Sequence, residues 1–102
     1  MSVSEQDPEA FERACLAELE RELTDPGTGP LMRESTGRDF RGVRLDGSYP
    51  ETAIVVSLLD FDSGAVEERR FPLWREHFRV PDGTVLPPDN IAGEIWVMVT
   101  EP

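Results

Sequence analysis

Apolar residues recur at every fourth position early in the chain, at Phe11, Cys15, Leu19 and Leu23, and Leu16 widens them into a stripe. That period places the stripe on one face of an α-helix. Asp7 followed by Pro8 marks the start: a carboxylate can accept from first-turn amides, and proline suits the first helical position. A helix is therefore predicted over 8–23, with Glu9 and Arg13 as an i,i+4 pair on its outer side. The run TDPGTGP (24–30) ends it with two prolines and two glycines. Residues 31–39 show no clear period and read as a loop or a single helical turn.

From residue 40 the pattern turns to β. FRGVRLD (40–46) predicts a first strand, weakened by Gly42 and closed by Asp46-Gly47. TAIVVSLLDF (52–61) is rich in β-branched residues and apolar on both faces, which suits an interior strand. DSGA makes a hairpin turn, and VEERRFPLW (66–74) returns as a charged partner whose Pro72 cannot donate to a ladder, which predicts an edge strand. The stretch 75–93, with VPDG and LPPDN, reads as a long irregular cover. EIWVMVT (94–100) alternates Ile95, Val97 and Val99 against Trp96 and Met98, and predicts a last strand. The pattern as a whole predicts one domain over 1–102 of α+β class. Its N-terminal amphipathic helix packs on a mostly antiparallel four-stranded sheet, with a long loop before the last strand. One helix covers only one face of a sheet whose strands are apolar on both, so loops or a second chain are expected on the other.

Charge narrows the list of partners. Twenty-one acids face ten bases, all of them arginine, for a net charge of −11. Such a charge repels phosphate chains and anionic membranes, which disfavours duplex nucleic acid and favours a basic protein partner. The absence of lysine fits codon bias in a high-GC genome, with adaptation to high salt as the other explanation. No apolar run approaches the ~20 residues of a membrane span, MSVSEQDPEAFER lacks the basic start and apolar core of a secretory signal, and Cys15 is the single cysteine. These features predict a cytoplasmic protein.

Candidate chemistry is sparse. Asp60 and Asp62 precede Gly64 but lack the ligand spacing of a calcium loop, so Asp-Ser-Gly reads as a turn. Cys15 and His77 are a conceivable thiol and base, yet Cys15 lies in the centre of the apolar stripe, where a buried thiol is ordinary. No metal-ligand spacing, phosphate loop or cofactor fingerprint is present, so no metal and no cofactor is expected. The one distinctive segment is RRFPLWREHFRVPDG (69–83), where the charge changes sign inside an acidic chain. Arg70, Trp74, Arg75, His77 and Arg79 are its candidate binding residues, because Trp and Arg are common interface anchors. The plainer alternative buries Phe71, Leu73, Trp74 and Phe78 and pairs the arginines with nearby acids.

The run GVRLDGSYPETAIVVSLLDF followed by FPLW, residues 42–74, resembles small uncharacterised proteins of high-GC actinobacteria of similar length. That resemblance implies no activity and carries no site residue. The resulting expectation is a small acidic binding or regulatory protein, of inhibitor, immunity or accessory-subunit type. It would act on a basic protein or on a second copy of itself as a homodimer. The alternative is a small enzyme or ligand-binding domain with a pocket between the sheet and residues 75–93, His77 serving as acid/base.

Overall fold

The computed structural model describes residues 7–101. Helix α1 spans Pro8–Leu23, and Asp7 Oδ1 accepts the Ala10 amide at 3.2 Å. Its buried side carries Cys15, Leu19 and Leu23, as the apolar stripe implies, and also Glu12, an acid on the inner face. Helix α2 spans Thr28–Thr36, where the sequence predicts breakers followed by a loop or a single helical turn. Pro30 is compatible with it because the amides of a first turn have no intrahelical acceptor to lose. Gly37 ends α2 in the left-handed region (φ 70°) and donates to Arg33 O at 3.0 Å, a conformation that glycine adopts without a Cβ penalty.

Three strands follow, β1 (Arg38–Asp46), β2 (Ala53–Asp60) and β3 (Val66–Pro72), antiparallel in the order β1-β2-β3. A bulge between Phe40 and Gly42 interrupts the β1 register. Asp60 Oδ1 accepts the amides of Asp62 (2.8 Å) and Ser63 (3.2 Å), so this carboxylate closes the β2–β3 turn. After β3 the chain makes one turn of 3-10 helix (Glu76–Phe78) and a small bridged loop, Arg79 against Val85. It ends in helix α3, Pro88–Thr100.

Helix α3 overturns the expectation of a four-stranded sheet under one N-terminal helix: among the described residues there are three strands and three α-helices. The stretch 94–100 is rich in β-branched residues, which favour strands, but Ile91, Ile95 and Val99 recur every four positions and are all buried. Val97, which strict alternation would place beside Ile95 and Val99, is 45% exposed. The helical period prevails because burying a face contributes more than the few tenths of a kcal/mol per residue that separate helix propensities. The helix begins at Pro88, so the long loop is shorter than 75–93. Helix α1 packs mainly against α3 and meets the sheet at β1, and α2 lies against both β1 and α3.

One face of β2 (Ile54, Val56 and Leu58) enters a core shared with Cys15, Leu19, Leu73, Trp74, Phe78 and Ile95. The opposite face carries Val55, which is only 1% exposed. Its cross-strand neighbours are Arg44 on β1 and Arg70 on β3. Arg44 pairs with Glu68 of β3 and Arg70 with Asp46 of β1, so both ion pairs reach across the central strand. In that register the two arginines flank Val55, and arginine stems commonly lie along apolar neighbours while their heads stay half-exposed, here in the two ion pairs. Around Val55, then, this face is lined by charged side chains of β1 and β3.

Candidate binding cavity

The five residues singled out in the sequence do not come together. Arg70 lies on the outer sheet face, bonded to Asp46. Trp74 is buried on the opposite side, against α1. Arg75 and His77 are exposed around the 3-10 turn, and the His77 ring stands edge-on to Phe78 at 4.9 Å between centroids. Arg79 turns back on its own loop and donates to Gly83 O at 2.7 Å. Arg69 reaches the other way, to Met98 O at the end of α3, at 3.0 Å. The basic segment is thus divided among the two faces of the sheet and a surface turn.

Trp74 leads instead to a different site. Its indole Nε1–H donates to Glu12 Oε2 at 2.7 Å, and the two residues are 8% and 6% exposed. The Trp74 ring also meets Phe11 at 5.3 Å and stands edge-on to Tyr49 at 4.9 Å between centroids. Tyr49 comes from the β1–β2 connection. That connection turns at Gly47 (φ 84°), where a Cβ would lie 3.3 Å from Glu51 O. Both the positive φ and the close approach call for glycine here.

Between the start of α1 and this connection lies a cavity of about 600 Å³. The helix contributes Asp7, Glu9, Glu12 and Arg13, and the connection contributes Tyr49 and Thr52. Three carboxylates against one guanidinium leave the wall at a formal −2. Arg13 is held by Glu9 at 3.2 Å and Asp7 is engaged as the helix cap. Thr52 is 1% exposed, yet its Oγ1 has no hydrogen-bond partner. A buried hydroxyl left without a partner costs on the order of 1–3 kcal/mol.

No protein-family model, curated protein or solved structure matches this chain.

Cys15, one turn beyond Glu12, has its thiol pushed up to about 12, first by burial and then by the charge of Glu12. That places it among structural thiols rather than nucleophiles. Among the described residues no helix is long and apolar enough to cross a membrane. Sequence reasoning passed over Glu12 although the signal was available. Glu12, Cys15, Leu19 and Leu23 are spaced 3, 4 and 4 apart, which places the acid on the buried stripe. Thr52 gave no such signal, because a threonine at the start of a strand is ordinary.

Proposed function

We propose that this chain is an acidic recognition protein that binds a basic protein partner. The supporting observation is the disposition of its charges. Six of the ten arginines are held in ion pairs with the chain's own acids: Arg13, Arg21, Arg33, Arg38, Arg44 and Arg70. Arg69 and Arg79 donate to backbone carbonyls. Eight of the ten arginines are thus engaged within the chain, and the excess of carboxylates leaves the chain at a net −11. A field of that sign speeds encounter with a cationic surface and rejects anionic ones.

The reading as an enzyme has less behind it. His77 is exposed, and its one described contact is the Phe78 ring. Partners can be recovered by crosslinking in the cell of origin and identified by mass spectrometry. The dissociation constant of the purified pair should then weaken steadily as ionic strength rises. An affinity indifferent to salt, or a partner as acidic as this chain, refutes the proposal.

A further inference from the structure

We infer that the cavity between α1 and the β1–β2 connection receives the cationic head of a lysine or arginine side chain presented by the partner. The inference rests on the preceding reading and gives it a place on the molecule. Three features converge there. Glu12 offers a carboxylate of which only Oε2 is engaged among the described residues, by the Trp74 indole. Thr52 belongs to the cavity wall, and its Oγ1 is buried without a hydrogen-bond partner, an acceptor whose burial cost an N–H donor brought against that wall would relieve. Tyr49, 47% exposed, lines the cavity and brings to its wall an aromatic ring, a group that attracts cations.

The wall chemistry selects the sign of the ligand. A carboxylate or phosphate would meet Asp7, Glu9 and Glu12 with only Arg13 to offset them, and Arg13 is already bonded to Glu9. A neutral apolar group would leave the Thr52 hydroxyl as costly as before. An ammonium or guanidinium head satisfies both groups, and the planar guanidinium fork suits two separated oxygen acceptors best. A volume of about 600 Å³ accommodates a whole side chain together with water, within the ~300–1,000 Å³ common for ligand cavities.

The test titrates the full chain with n-butylguanidinium chloride and n-butylammonium chloride, against sodium chloride at matched ionic strength. The readout is the Trp74 indole N–H resonance, distinguished from that of Trp96 with a Trp96→Phe variant. The expected result is a saturable shift with the organic cations and none with sodium. Glu12→Gln keeps an acceptor for the Trp74 indole, and Thr52→Val keeps the shape while removing the unpaired hydroxyl. Each should weaken probe binding by about tenfold or more. The melting temperature of Thr52→Val should hold or rise, which separates loss of binding from loss of fold. No saturable shift, or unchanged affinity in both variants, overturns the inference. A salt-sensitive basic partner that binds wild type and Glu12→Gln equally also overturns it while leaving the acidic-surface proposal standing. Saturable, Glu12-dependent probe binding without any salt-sensitive partner supports the cavity and removes the broader proposal.

Discussion

Replacing Trp74 by phenylalanine should be among the most damaging single changes that keep a ring in the core. The aromatic contacts with Phe11 and Tyr49 are partly retained, but the indole N–H that reaches Glu12 at 2.7 Å is lost. Both partners are more than nine-tenths buried, so water cannot freely replace the donor. A hydrogen bond to a charged group is worth about 1.5–3 kcal/mol, and leaving its acceptor stranded falls in the same range. Trimming the second ring adds about 1 kcal/mol of lost packing. The expected destabilisation is therefore about 3 kcal/mol, which corresponds to a fall in melting temperature of roughly 12–20 °C for a domain of this size. Urea unfolding should show the loss as a lower midpoint at unchanged slope. The pairing itself is isolated by a cycle with Glu12→Leu. In Glu12→Leu/Trp74→Phe no stranded polar group remains, so the double variant should recover part of the loss, with a coupling of at least ~1.5 kcal/mol. A Trp74→Phe protein within ~0.5 kcal/mol of wild type, or an additive cycle, would show that Glu12 is adequately solvated through the cavity.

Two further outcomes follow from titrating groups. Asp46 is held below its ordinary value by its hydrogen bond from Arg70, and Glu68 by its hydrogen bond from Arg44. Because these carboxylates are depressed in the folded state, their contribution is present above the unfolded value and is lost as pH falls through the folded one. Carboxyl carbon shifts should report midpoints below the usual carboxylate range. Arg70→Gln should raise that of Asp46 far more than that of Glu68, and equal movement of both would contradict the assigned pairing. Cys15, raised to about 12 by burial and by Glu12, should resist a disulfide reagent such as Ellman's at neutral pH until denaturant is added. Rapid labelling of the native protein would place the thiol at the surface.

Local signals were the most legible part of this chain. Asp7 and Pro8 act within one helical turn, and the Asp60 turn closes on its own amides, so both can be read without knowing the rest of the molecule. β2 is legible because a run of β-branched residues bounded by turns has few other uses. Helix α3 was not, because Ile95 to Val99 satisfies periods of two and of four alike, and only the exposure of Val97 decides between them. Helix α2 was obscured by Gly29 and Pro30, residues that end a helix in its interior but are compatible with its first turn. The candidate cavity lay beyond reach for a different reason. It joins Glu12 to Thr52, forty residues apart in sequence, and nothing local to either predicts the other. In the segment 69–79, strand alternation alone would set Trp74 on the face of Arg70, but β3 ends at Pro72, and beyond it Trp74 enters the core while Arg70 stays on the outer face beside Asp46.

The three-stranded sheet has one more consequence. Among the described residues neither β1 nor β3 has a strand beyond it, which on another protein would leave two rows of backbone donors and acceptors inviting a newcomer. Here β3 reads VEERRFP, with four charges in a row and a proline that cannot donate, and β1 is kinked by its bulge. Both margins are poor templates for an added strand. The chain should therefore resist edge-to-edge stacking when concentrated. Any partner it recognises must then be read by side chains rather than by a shared ladder of peptide groups.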